Sequence, residues 1–149
     1  MVEYSSQLHE ECFAFLDKAD ASALFYALEI VEIKGGTPLY AENDAADCMY
    51  VLISGRIAVQ KKTGFADRTQ VVALLDPGAP LGESGLLTAQ SRGATLTAVA
   101  DSRLLLLSRQ AFTEITINTP SLAVKVLTWL MGRLALRLKK SSERLAHVL

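Results

Sequence analysis

Leu81-Gly82-Glu83-Ser84-Gly85-Leu86-Leu87, followed after four residues by Arg92-Gly93-Ala94-Thr95, is the stretch whose reading decides the fold. Within fifteen residues it carries a glycine turn, one carboxylate, a short apolar helical turn and one arginine. Backbone N–H groups at the start of a short helix attract anions. A guanidinium neutralises a phosphate through paired donors, and a carboxylate accepts a hydrogen bond from a sugar hydroxyl. These are the parts needed to hold a small sugar phosphate.

Outward from this stretch, residues 31–107 alternate short β-branched runs with Gly-Gly, Asn-Asp, Ser-Gly, Thr-Gly and Asp-Pro-Gly turns at close spacing. That pattern predicts an antiparallel barrel or jelly roll. Residues 57–62 read as a strand running into the Thr63-Gly64 hairpin tip, and residues 70–75 as another. A third, 96–107, is broken near Asp101-Ser102, and the opening stretch is an insertion between these later strands.

The flanks read as helix. Residues 6–18 predict a short amphipathic helix capped by Ser6, with Glu10 and Glu11 in its first turn, and Asp20 caps a second one through Leu28. Ser108 caps Arg109 to Ile115. Thr119-Pro120 then places a cap and a first-position proline before a helix running to about residue 147. On it Leu127, Met131, Leu134, Leu138, Ser141, Leu145 and Val148 recur at 4-3-4-3-4-3 spacing. This is a heptad seam with one polar position at Ser141. Two readings stay open: a core stripe against the roll, or a homodimer interface.

The 149 residues are half hydrophobic and 21% charged, which is globular composition in a length that suits one domain. No apolar run reaches the roughly 18 residues that span a bilayer, and Met1-Val2-Glu3-Tyr4 has no signal-peptide pattern. Cys12 and Cys48 lack metal-type spacing and read as buried thiols of a reducing compartment, by default the cytoplasm. His9 and His147, read as exposed, give the roll no metal ligand set. No nucleophile–base pair or carboxylate pair is suggested, so no enzyme activity is expected. Residues 1–120 carry a net −6 and residues 121–149 a net +5. The basic tail reads as a solvated helix face whose cations suit the dipole, or as a contact for nucleic acid, acidic lipid or an acidic partner.

The stretch 81–95 resembles the phosphate-binding cassette of cyclic-nucleotide-binding domains, whose pattern is aromatic-Gly-Glu-x-Ala-Leu-x(4)-Pro-Arg-x-Ala-Thr. No gap is needed between Gly82 and Thr95. Leu81 replaces the aromatic, Ser84 an apolar residue, Gly85 the alanine and Ser91 the proline, and none of these removes a donor or acceptor. Gly36-Thr37-Pro38-Leu39-Tyr40-Ala41-Glu42-Asn43-Asp44 is similar to the family's G-x-x-L-[FY]-x-E-G-D turn, with Asn43 tolerating the positive φ of the usual glycine. Asp47 with residues 50–59, residues 75–78, Arg109-Gln110-Ala111-Phe112 and Pro120 extend the match in order.

The resemblance implies that Glu83 binds the ribose 2′-hydroxyl and Arg92 the cyclic phosphate. Amides at Gly85 and Gly93 complete the cradle, and Gly82, Ser84 and Ala94 belong to the same ligand-binding set. It implies an α+β fold: an antiparallel β jelly-roll barrel flanked by short N-terminal helices and a long C-terminal helix. As one domain, 1–149, this comprises a helical segment 1–30, a β-roll 31–107 holding the cassette, and C-terminal helices 108–149. Arg137, Ser141 and Ser142 are candidates to touch the base. Relatives that regulate transcription resemble the catabolite activator protein, with a winged helix-turn-helix after the long helix. The residues after Pro120 are too few for such a domain, so no DNA-binding, kinase or channel module is expected. A stand-alone sensor and a piece of a larger protein both fit.

In the family a hydroxyl directly after the arginine often favours cyclic GMP. This chain has Gly93 there, and strand alternation turns Thr95 away, so cyclic AMP is expected to bind at least as tightly as cyclic GMP. Two functional classes follow. One is a cyclic-nucleotide receptor signalling to an unidentified downstream protein through its last helix. The other is a ligand-free dimerisation or scaffolding module that keeps the fold. An intact Glu83 and Arg92 favour the first, since a buried unpaired charge is costly.

Overall fold

A computed structural model describes residues 1–65, 68–88 and 90–149; position 89 of the cassette lies outside the described residues. Two helices, α1 (Ser6–Cys12) and α2 (Lys18–Ala27), precede the strands β1 (Glu29–Ile33), β2 (Pro38–Tyr40), β3 (Ala45–Ala46), β4 (Cys48–Ser54), β5 (Ile57–Lys62) and β6 (Thr69–Leu75). The cassette contributes β7 (Pro80–Leu81), a 3₁₀ turn (Glu83–Leu86) and β8 (Gln90–Ser91). Strands β9 (Thr95–Ala98) and β10 (Ser102–Ser108) follow, then α3 (Arg109–Asn118) and α4 (Pro120–Val148).

Two four-stranded antiparallel sheets, ordered β1-β10-β4-β7 and β2-β9-β5-β6, form the roll, and β3 pairs with β8 beside them. The α+β jelly roll expected from the sequence is the observed fold. β4 lies at its centre and is buried on both faces. Met49 and Val51 join the cluster under the helices, while Leu52 joins the cluster inside the roll. A strand buried on both faces reads as a continuous apolar run without alternation, which is how 49–53 reads. Leu52 and Leu104 are 0% exposed, and burying such side chains contributes about 1.5–3 kcal/mol each.

The N-terminal helices correct the sequence reading in detail. Helix α1 ends at Cys12, and its cap is Ser5, not Ser6; the Ser5 hydroxyl accepts from the Leu8 amide at 3.3 Å. Adjacent Cys12 and Phe13 are both buried. With the helix starting at Ser6, Glu10 and Glu11 lie beyond its first turn. Helix α2 is capped by Asp17, whose carboxylate accepts from the amide of Asp20 at 2.8 Å, so the expected cap is the capped residue. His9 is half-buried rather than exposed. Its Nε2 donates to the Leu16 carbonyl at 2.7 Å, and Nδ1 shares a hydrogen bond with the Tyr4 hydroxyl at 2.8 Å.

Ser108 caps α3 as read, accepting from the Ala111 amide at 3.0 Å. Pro120 opens α4, but the Thr119 side chain makes no capping bond. One face of α4 buries Leu122, Ala123, Val126 and Leu130, and Phe15 stacks on Trp129 at 5.3 Å. The 4-3 seam is a different face. Leu127, Met131, Leu134 and Leu138 are 46%, 70%, 38% and 69% exposed. The core-stripe alternative therefore fails for this seam, because the buried positions are offset around the helix from it. Among the described residues no helix is long and apolar enough to cross a membrane.

Candidate functional site

Gly82 opens the cassette in the left-handed region at φ +66°, as the residue before the 3₁₀ turn. A Cβ there would stand 2.6 Å from Arg92 Nη1 and 3.0 Å from the Tyr40 hydroxyl, so both backbone conformation and space require glycine. Gly85 needs glycine for another reason: its Cβ would meet the Cys48 carbonyl oxygen at 2.0 Å. The bare backbone of the turn lies directly on β4. The Gly85 amide donates to the Gly82 carbonyl at 2.9 Å, closing the turn. Ser84 and Ala94 are half-buried, while Gly93 is exposed in open space.

Arg92 is only 4% exposed. Its Nη1 donates to the Gly82 carbonyl at 2.9 Å, and Nη2 to the Cys48 carbonyl at 2.8 Å, with Cys48 Sγ at 3.4 Å. The guanidinium carbon sits 4.1 Å from the centre of the Tyr40 ring. The main chain of Arg92 is tied to the preceding turn: its amide donates to Asp44 O at 2.7 Å and its carbonyl accepts from Asn43 N at 2.8 Å. Asn43 takes φ +75°, the conformation its place in the turn required.

Glu83 divides its carboxylate. Oε1 lies 3.5 Å from Arg137 Nη1 of α4. Oε2 is buried and has no hydrogen-bond partner among the described residues. Arg137 also donates to the Pro80 carbonyl, and one turn earlier Arg133 Nη2 reaches the Gly78 carbonyl at 3.4 Å. Helix α4 is thereby strapped to residues 78–83. Two half-buried phenols, Tyr40 and Tyr50, stand nearby with ring centroids 6.4 Å apart. Burial pushes the Tyr40 hydroxyl up to about 12, opposed by the nearby Arg92 charge. Burial and its hydrogen bond with Cys48 also raise Tyr50.

The structure brings Glu83, Arg92 and Arg137 to one place. Ser141 and Ser142 are exposed, and Ser141 accepts from Arg144 at 3.5 Å. Thr95 accepts from the Glu42 amide at 2.9 Å, so its hydroxyl is engaged away from Gly93. Sequence reasoning passed over Tyr40 and Cys48, although Tyr40 stands in the quoted 36–44 turn.

The family model of the cyclic nucleotide-binding domain matches residues 30–118. The chain belongs to the cyclic nucleotide-binding domain family. The matched span holds the roll from the second residue of β1 onward, the cassette and α3. The cAMP-dependent protein kinase regulatory subunit of Dictyostelium discoideum is 31% identical over 102 residues, covering 67% of this chain and 31% of that protein. The chain thus spans less than a third of that relative's length. Among solved structures, a cyclic nucleotide-binding domain from Methylobacillus flagellatus superposes with a TM-score of 0.82 at 25% identity, over 87% of this chain and 72% of that one. The regulatory domain of Toxoplasma gondii PKA, solved with cAMP, gives 0.65 at 29% identity, over 76% of this chain and 46% of that one.

Proposed function

We propose that this chain is a cyclic-nucleotide receptor, with cyclic AMP favoured, that passes its ligand state to another protein through α4. The observation that carries the reading is Glu83 Oε2, a buried carboxylate oxygen with no donor among the described residues, next in sequence to the Gly82 carbonyl that holds the buried Arg92. Leaving such an atom unpaired costs on the order of 1–3 kcal/mol, and a ribose hydroxyl supplies the missing donor. Arg92 then serves the cyclic phosphate, with Gly82, Ser84, Gly85, Gly93 and Ala94 forming the cradle around it. Residues 1–149 act together as one domain in this reading. The buried free thiols Cys12 and Cys48 suit the cytoplasm.

Calorimetric titration with cyclic AMP and cyclic GMP tests the proposal. Saturable binding, with cyclic AMP at least as tight, is expected. A tenfold preference for cyclic GMP, about 1.4 kcal/mol, would mean that a residue other than Gly93 reads the base. Absence of binding by both nucleotides overturns the receptor reading. It would favour a ligand-free module, a reading that draws support from Arg92 already donating to Gly82 and Cys48.

Signalling follows from the divided carboxylate. A ribose hydroxyl on Oε2 leaves Oε1 for Arg137, so ligand and helix are anchored on the same group. A ligand shifts an equilibrium only through differential contacts with its states, and this shared anchor supplies one. Amide hydrogen exchange across residues 125–147 is expected to slow on adding cyclic AMP, and less so in Arg137→Ala. Unchanged exchange would mark a passive binder.

The exposed seam supports a homodimer. A groove of about 710 Å³ between cassette and α4, lined by Leu86, Leu87, Leu127, Met131, Leu134 and Leu138, continues along it. Exposed apolar patches of this kind mark association surfaces, and the 4-3 spacing suits a second α4. Leu134→Asp with Leu138→Asp is expected to convert dimer to monomer in sedimentation velocity. A wild type already monomeric at micromolar concentration removes the dimer from the proposal.

A further inference from the structure

The buried cation of the cassette is held partly from outside the cassette. Tyr40 ends β2, and its ring lies 4.1 Å from the Arg92 guanidinium carbon. Its hydroxyl comes within 3.0 Å of where a Gly82 Cβ would stand, so one side chain abuts both the arginine and the glycine that opens the turn. The Gly82 and Cys48 carbonyls each accept a hydrogen bond from the guanidinium, at 2.9 and 2.8 Å, and Cys48 Sγ accepts a third from Nη2 at 3.4 Å. A guanidinium has five N–H donors in a rigid fork. Three acceptors and the ring face together fix its plane, leaving Nε and the second Nη1 proton without a partner among the described residues.

We infer that Tyr40 is a positioning residue of the anion site: its ring holds the plane of Arg92 so that the unused donors meet the cyclic phosphate already oriented. The inference rests on the cyclic-nucleotide reading above. Without the ring, the long side chain has to be ordered at the moment of binding, and such immobilisation subtracts from affinity. Stacking of a desolvated guanidinium on an aromatic face adds to the same effect. The π face does this work, not the hydroxyl. Phenylalanine should therefore substitute for Tyr40, and an aliphatic side chain should not.

The experiment is calorimetric titration of cyclic AMP into the full chain and its variants, with thermal unfolding recorded for each. Tyr40→Phe is expected to bind within about twofold of wild type, and Tyr40→Leu about tenfold more weakly. Tyr40→Met, unbranched and adaptable, provides a second non-aromatic variant should Tyr40→Leu fold poorly. The discriminating arm repeats Tyr40→Leu in an Arg92→Lys background. Lysine keeps the charge but has no plane to set, so the further loss there should be no more than about twofold. A general packing role would give the same loss in both backgrounds and overturns the inference. Wild-type affinity in both non-aromatic variants overturns it too, leaving the receptor reading intact. A wild type that binds neither cyclic AMP nor cyclic GMP overturns both.

Discussion

Replacing Arg92 by alanine is expected to weaken cyclic AMP binding by more than about thirtyfold. Truncating one partner of a desolvated charged contact costs on the order of 2–5 kcal/mol, and thirtyfold is about 2 kcal/mol. The geometry adds a second consequence. Arg92 is 4% exposed, and its Nη atoms serve the carbonyls of Gly82 and Cys48. Alanine leaves those acceptors without their donor, so the melting temperature should fall as well. Titration well below the lowered melting temperature separates the two effects. If Arg92→Ala binds cyclic AMP as tightly as wild type, the arginine does not hold the phosphate.

Gly85→Ala is the second large effect, and it falls on stability. Alanine is the residue this position usually carries in the family pattern, so by sequence the change looks like a restoration. The structure predicts the opposite. The added Cβ would stand 2.0 Å from the Cys48 carbonyl oxygen and 2.7 Å from its carbon, both backbone atoms of β4. Backbone of a doubly buried strand gives way poorly, and overpacking of this kind costs about 1–3 kcal/mol. That corresponds to a drop of about 3–10 °C in melting temperature. Because the Cys48 carbonyl also accepts from Arg92, cyclic AMP affinity should fall with it. An unchanged melting temperature would show that the turn can lift from β4 without strain.

The roll was legible because its signals are local. Turn residues punctuate short apolar strands, and Ser108 and Pro120 mark helix starts through capping and a missing N–H. The family was legible because its pattern places particular residue types at close spacing, from Gly82 to Thr95. Two helix caps were misplaced, by one residue and by three, and the seam stayed open between two readings. Ser5 and Ser6 are equal candidates for a cap by type, as are Asp17 and Asp20. Packing of Phe13 and Leu16, which are 2% and 4% exposed, ends α1 early and sets where α2 begins. A helical seam reads alike whether it meets the core or solvent. Only the docking of Leu122, Val126 and Leu130 on the body turned Met131 and Leu138 outward.

What the sequence by itself determined is the family, the α+β jelly roll and the order of its main elements. These follow from short-range patterns of turn, cap, alternation and charge. What only the tertiary structure decided is which groups those residues meet. Arg92 finds Cys48 O across 44 positions of sequence and lies over the Tyr40 ring. Glu83 pairs with Arg137 of a helix that begins at Pro120. Gly85 rests on β4 rather than on open space. Burial, orphaned acceptors and contacts between distant segments arise when the chain closes on itself, and no local pattern encodes them.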